Sequence, residues 1–400
     1  MYASSLARRL FLTAIVVTAI VLVGVMLDRP ALTLRTIATA ALAVMLIAPE
    51  AIVHPSFQMS FAATLALIAA YERGLPWLSA VPDTPLGTRL ALWGGREVAG
   101  LVVASLVAGL ATTLYAAFHF HRLAPYGVLA NLLAMPVVSA WVMPSGLLAL
   151  FAIPLGFDAP LWRLMADGID WMIRVALWVA SLPGAVGRVP AFGIGVVLVG
   201  TAGLIVLCLL RSPLRFAGGA LIAAAIVLAL RTSPPDILVA SDAGAAAIRT
   251  TEGRLSVIGG KPDAFMVGEW LAADADARTA RDATLSQHTR CDTDGCIATR
   301  GDGSLVALSL TQAALLEDCG KAAVVISARQ APTGCPALVI DRSLLQGSGA
   351  LALSWNGKGY EITAARPAGY VRPWTPQVAA RALPPAPAMD ATPAPADIED

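Results

Sequence analysis

Apolar positions fall into two patterns along the chain. Up to residue 230 they form long runs broken by short polar stretches. Beyond residue 236 they form short runs separated by turns. A helix that crosses a bilayer needs about 20 mostly apolar residues. Residues 10–27, 32–48, 99–118, 192–210 and 216–230 meet or approach that length, and 57–71, 127–142 and 144–157 are shorter or broken. Residues 161–182 read as a further helix with a charged face. Counting all of these gives nine crossings, within a range of about seven to nine. After a TSPPD boundary, runs at 237–240, 245–248, 255–258, 305–309, 323–327, 337–340 and 350–353 read as strands. Residues 265–273 and 312–318 read as helices. Strands mixed with helices point to a compact α/β domain. The expected organisation is a polytopic α-helical membrane domain (1–232), a soluble α/β domain (233–381) and a disordered Pro/Ala-rich acidic tail (382–400).

Composition sharpens the division. The 400 residues are 57% hydrophobic and only 14% charged, against about 25% charged in ordinary soluble proteins. The first 232 residues hold 14 arginines, no lysine and 8 acids. The remainder carries 14 basic and 19 acidic residues. The positive-inside rule places Arg8 and Arg9, Arg122, and Arg211 with Arg215 in the cytoplasm. With nine crossings, the second domain then lies outside.

Within the apolar half, residues 49–70 stand apart. Glu50, His54, Pro55, Ser56, Gln58 and Ser60 fall within eleven positions. Polar groups at membrane depth must face protein or water. Ser56, Ser60 and Thr64 recur at i, i+4, i+8 and make one narrow face, which suits a pore lining and close helix packing equally. Arg163, Asp167, Asp170 and Arg174 form a second stripe at i, i+4, i+7, i+11. Its i, i+4 pairs are able to neutralise each other. It fits the wall of a conduit or an amphipathic helix in the interface. His119, His121 and Arg122 end one span, as a phosphate-facing cluster or as an interfacial anchor. Asn131 reads as an interhelical hydrogen-bonding amide.

The strings PSFQMSFAATLALI (55–68), VTAIVLVGVMLDRPALTLRT (17–36), APE (48–50) and LAPYGVLANLLAMPVVS (123–139) together resemble the ComEC-type competence family. These are inner-membrane channels for DNA uptake in natural transformation. The resemblance implies passage of single-stranded DNA through a multi-pass bacterial inner-membrane protein, working with a DNA receptor and a cytoplasmic motor. Its hallmark positions map to Pro49, Pro55, Phe57, Gln58, Ser60, Phe61, Asn131 and Pro136. The match starts near residue 17, so the chain is expected to be shortened at its N-terminus relative to the family. A small-solute permease with an exported accessory domain, or a non-functional truncated relative, are the rival readings.

Many relatives carry a metallo-β-lactamase-like domain after the spans, and the α/β half is expected to be a degenerate version of it. That fold's metal site needs an HxHxDH-type cluster, and this half has one histidine, His288. No metal, cofactor or enzymatic activity is expected. Cys291, Cys296, Cys319 and Cys335 point to two disulfides in an exported domain, with three connectivities open. A zinc site on His288, Cys291 and Cys296 is a minor alternative. No Gly-rich nucleotide loop with its lysine occurs, so the driving force is expected from a partner or an ion gradient.

Overall fold

The computed structural model describes residues 33–73, 86–260 and 262–366. The expected span at 10–27 and tail at 382–400 lie outside them. The chain divides into two compact units meeting between Thr232 and Ser233, and each is described by itself.

The first unit opens with α1 (Leu34–Ile47), whose N-cap Thr33 accepts a hydrogen bond from the Thr36 amide at 3.2 Å. A short 3₁₀ turn, Pro49–Val53, leads to α2 (Pro55–Glu72). Pro55 sits in the first turn, where a missing N–H leaves no bond unmade. Its ring favours an extended His54 (φ −84°, ψ 133°), which breaks the helix there. Next come α3 (Leu86–Phe120), β1 (Arg122–Leu123), α4 (Gly127–Val137) and α5 (Met143–Ala152). Then follow α6 (Asp158–Ser181), β2 (Gly187–Arg188), α7 (Ile194–Leu209) and α8 (Arg215–Leu230).

Two expectations need correction. The segments at 127–142 and 144–157 are not separate. A π-turn, Val138–Val142, joins α4 to α5, and the helical run continues to Leu155. Pro136 inside α4 and Pro144 at the start of α5 remove two backbone donors, and the widened turn absorbs the break. Gly95–Phe120 and Gly127–Leu155 are the two described runs long and apolar enough to cross a membrane by length and composition.

The arginine clusters also do not share one end. His119, near the end of α3, meets Gln58 at the start of α2. Arg73, just past the other end of α2, donates to the carbonyls of Leu207 and Cys208 at 2.6 and 3.1 Å. Glu72 pairs with Arg211 at 3.0 Å. Arg122 and Arg211 therefore lie at opposite ends of the bundle.

Ala62, Ala66 and Ala69 of α2 pack against Ala111 and Tyr115 of α3 and Val197 of α7. The tightest crossing is between α7 and α8. A Cβ on Gly218 would lie 2.6 Å from the Gly203 carbonyl oxygen and 2.5 Å from the Leu207 amide nitrogen, so only glycine fits there.

The second unit runs β3 (Ile237–Val239), β4 (Ala245–Arg249), β5 (Leu255–Gly259), α9 (Ala264–Ala273), β6 (Thr289–Cys291), β7 (Gly295–Thr299) and β8 (Leu305–Ser309). It continues with α10 (Gln312–Lys321), β9 (Val324–Ile326), β10 (Leu338–Ile340), α11 (Arg342–Ser348), β11 (Leu351–Trp355) and β12 (Tyr360–Ala364). One sheet is antiparallel, in the order β12-β11-β3-β4-β5. The other runs β10-β9-β8-β7-β6, with β8, β9 and β10 parallel. Ile237, Ile248 and Ile258 of the first sheet share a core with Leu308, Ile326 and Ile340 of the second. The expected strand runs coincide with strands here. β6, β7, β12 and α11 are additional.

Candidate functional site

The polar segment of α2 has two faces. Its buried residues are Ala62, Ala66 and Ala69 on one side, with Ile68 one turn beyond Thr64. At 3.6 residues per turn, Ser56, Ser60 and Thr64 lie roughly 150° around the axis from the alanines. Ser56 and Ser60 are exposed and Thr64 is half-buried, its hydroxyl donating to the Ser60 carbonyl at 2.8 Å. Ser56 and Ser60 are therefore not what packs α2 into its unit, whereas the hydroxyl face is drawn in at Thr64. Beside it the rings of Phe57 and Phe61 lie 4.3 Å apart between centroids, tilted by 36°.

Gln58 does different work. Its amide Nε2 donates to the Ile52 carbonyl at 2.9 Å. With the amide so oriented, Oε1 accepts from His119 Nε2–H at 2.8 Å. Gln58 thus ties the 3₁₀ turn Pro49–Val53 and the end of α3 to the first turn of α2. His54 caps the same turn, its Nδ1 accepting from the Ser56 amide at 3.3 Å. Pro49, Pro55, Phe57, Gln58, Ser60 and Phe61 form one continuous structure. Asn131 and Pro136 sit apart on α4. Asn131 is exposed and makes no hydrogen bond among the described residues, so the expected interhelical amide bond is not made.

The stripe on α6 is exposed along its length, and its i, i+4 ion pairs are not formed among the described residues. The roughly opposite face packs. A Cβ on Gly168 would lie 2.9 Å from a Val142 methyl, and Trp141 Nε1 donates to the Leu164 carbonyl at 2.7 Å.

Arg188 is a residue that the sequence pattern does not single out. Strands β1 and β2 pair antiparallel, with Arg122 opposite Arg188 and Leu123 opposite Gly187. Both arginines are exposed. No local signal links positions so far apart in the chain.

In the second unit Cys291 joins Cys296 and Cys319 joins Cys335. The first bridge links register partners in the β6–β7 hairpin, and it removes the thiolates a zinc site would need. His288 lies 3.5 Å from Glu252. Among the described residues no group of three or more His, Cys, Asp or Glu converges on a point. The buried Arg300 guanidinium lies over both the Trp355 and Tyr360 rings, at 5.2 and 5.1 Å from their centroids, and pairs with Asp302. Burial raises the Asp302 pKa, but the Ser304 hydroxyl and Arg300 outweigh it and hold the carboxyl below its ordinary value. This cluster ties the edge of the first sheet to the β7–β8 turn.

A family model described as Competence protein matches residues 11–214, about half of the chain. No curated protein and no solved structure matches.

Proposed function

The chain belongs to the competence protein family, and from that premise we propose that its first unit forms a conduit passing single-stranded DNA across the bacterial inner membrane during natural transformation. The observation that carries this reading is that Ser56 and Ser60 are exposed, with Thr64 half-buried in line with them, on the side turned away from the alanine stripe that packs. A lipid-facing helix gains nothing from such a stripe. A water-filled path favours it, and the adjacent Phe57–Phe61 pair offers a surface on which any base can stack.

The α6 stripe points the same way. An Arg or Asp at the bilayer centre costs about 2.5–3.5 kcal/mol on insertion scales. Four exposed charges facing lipid would cost about 10 kcal/mol. They belong against water or against another charged surface.

The bundle ends support an orientation. Arg122 and Arg188 share one end. Helix α8 runs back along α7, so Thr232 leaves from that same end. Two disulfides beyond Thr232 fit an oxidising compartment. On this reading the Arg122 end is periplasmic, and Arg73, Arg211 and Arg215 are cytoplasmic, in the positive-inside sense. The second unit we read as a degenerate, non-catalytic metallo-β-lactamase-like scaffold. A DNA receptor would deliver the strand and a cytoplasmic motor would draw it in.

The test is uptake in a transformable strain whose own copy is replaced by this chain. Ser56→Leu, Ser60→Leu and Thr64→Leu combined should insert normally and leave DNA bound at the cell surface. Entry of labelled DNA should fall to the level of the deletion strain. Unchanged entry at normal protein level would return this face to packing and remove the main support for a conduit.

A further inference from the structure

We propose that Arg73 is a positioning residue that sets the rotation of α2 about its own axis and so keeps Ser56 and Ser60 turned outward, an inference that rests on the conduit reading above. Helix α2 packs on α3 and α7 largely through alanines. The stripe is Ala62, Ala66 and Ala69, and Ile68 is the one large side chain of α2 that is buried. One position further along the sequence stand Ala63 and Ala70, with Leu67 between them. A helix turns about 100° per residue. Rotating α2 by one such step would put Ala63 and Ala70 where Ala62 and Ala69 now lie. It would also swing Ser56 and Ser60 to within roughly 60° of the packed side. Along the stripe, Leu67 in place of Ala66 is the steric difference between the two settings. Single-carbon side chains present no knob to oppose the step elsewhere on it.

Polar bonds at the two ends of α2 fix the setting. Helices α3 and α7 form its frame, joined by Tyr115 Oη and Thr201 Oγ1 at 3.0 Å. At one end Gln58 ties α2 to His119 of α3. At the other, Arg73 Nη2 donates to the carbonyls of Leu207, Cys208 and Leu210 at 2.6, 3.1 and 3.4 Å. A helix leaves its last carbonyls without backbone donors and with negative partial charge, so the end of α7 is a seat for a cation.

The link is reciprocal. Arg211, just beyond α7, donates back to the Glu72 carboxylate of α2 at 3.0 Å. Glu72 and Arg73 are neighbours in the chain and both reach the same end of α7. A rotation of about 100° would carry both side chains away from it and break every one of these bonds. The Arg73 bonds are charge-assisted, and such bonds are roughly twice as strong as neutral ones. Arg73 lies about 20 Å along the helix from Ser60, so it acts there only through the stiffness of α2.

The test places single cysteines at Ser60 and at Ala62 in the full chain with Cys208→Ala. The protein is put in nanodiscs and labelled with a membrane-impermeant methanethiosulfonate without reductant. With Arg73 present, Ser60→Cys should react and Ala62→Cys should not. Arg73→Gln should slow Ser60→Cys about tenfold or more, the factor that a hydrogen bond to a charged group is worth, and should bring Ala62→Cys into reaction. Arg73→Lys should restore both, because one nitrogen makes all three bonds and an ammonium can stand in its place. Faster reaction at both positions in Arg73→Gln would mean general loosening and would overturn the inference. Unchanged rates would overturn it and leave the conduit reading standing. If Arg73→Gln does not insert, Arg211→Gln removes only the reciprocal pair. It should give the same opposed changes in smaller measure, and no change would likewise overturn the inference. A Ser60→Cys that does not react even with Arg73 present would overturn both readings.

Discussion

Replacing Gln58 with leucine removes two hydrogen bonds at once while nearly preserving side-chain volume. These are Nε2–H to the Ile52 carbonyl at 2.9 Å and His119 Nε2–H to Oε1 at 2.8 Å. Each bond contributes about 1 kcal/mol net, and a partner left unsatisfied adds about 1–3 kcal/mol when fully buried. Ile52 is half-exposed and His119 half-buried, so that penalty falls at its low end. The sum is about 2–3 kcal/mol, concentrated on the 3₁₀ turn Pro49–Val53. Local opening of that turn should speed about 30- to 150-fold. Hydrogen exchange on the full chain in nanodiscs reads it directly, in the amides of Ala51 to His54. His119→Ala should produce part of the effect, and combined with Gln58→Leu should show a coupling near 1 kcal/mol. Exchange in Gln58→Leu no faster than in the unaltered chain would refute the clamp. The result also separates two roles of this segment. Gln58 organises the turn, whereas Ser56 and Ser60 face outward.

Gly218→Ala should cost about 1–3 kcal/mol by overpacking, because its Cβ would meet the Leu207 and Gly203 backbone. Gly219→Ala, with nothing within 4 Å, is the control for loss of monodisperse protein on heating. Removing the Cys319–Cys335 bridge, which spans 16 positions, should lower stability of the second unit by about 3 kcal/mol. The Cys291–Cys296 bridge, which spans 5, should contribute about 2. Thermal unfolding followed by tryptophan fluorescence gives the ranking, and equal effects would contradict the loop argument. Burial raises the Asp276 pKa, yet its bonds to Arg278 hold it below the ordinary value, as Ser304 and Arg300 do for Asp302. Depressed folded-state values mean this stability is present above the unfolded carboxyl value of about 3.9 and is lost as pH falls through the lower folded value. Hydrogen exchange in β7 to β12 should therefore accelerate below about pH 4, and Asp302→Asn should blunt that acceleration.

Much of the second unit is legible because its central strands are short apolar runs between turn residues, as at Leu305–Ser309. The strands that escape are polar for a reason. In Thr289–Cys291 every side chain is at least partly exposed, since β6 is an edge strand, so no alternation marks it. In the first unit, hydropathy finds the helices but misreads Pro144 as a boundary, because a π-turn ending two residues earlier lets the helix pass through. The alternation in α2 is visible in the sequence, but which face packs is not. Ala62, Ala66 and Ala69 are no more apolar than their neighbours and are buried because small residues allow α3 to approach closely. Arg188 escapes because a two-residue strand has no periodicity to detect.

The same short ribbon ties the path of α6 to that of the apolar run before it. Pairing of Arg122 with Arg188 puts residues 122 and 188 on one side of the membrane. Between them lie the apolar run Gly127–Leu155 and α6. If that run crosses, α6 has to cross back. A helix lying flat in the interface would leave Arg188 on the wrong side. A crossing α6 carries Arg163, Asp167, Asp170 and Arg174 through the hydrocarbon region with no ion pair among the described residues, which a water-lined path or a facing charged surface tolerates and lipid does not. On the conduit reading, the charged stripe then belongs to its wall rather than to a surface anchor. The two arrangements differ in a measurable way, through single cysteines at the exposed ends of α6 in a chain whose Cys208 is replaced by alanine. With a membrane-impermeant maleimide on oriented vesicles, Ser181→Cys should react only from the periplasmic side and Ala159→Cys only from the cytoplasmic side. Reaction of both positions from one side would place α6 flat in the interface. It would also require that Gly127–Leu155 not cross, leaving the charged stripe with no part in conduction.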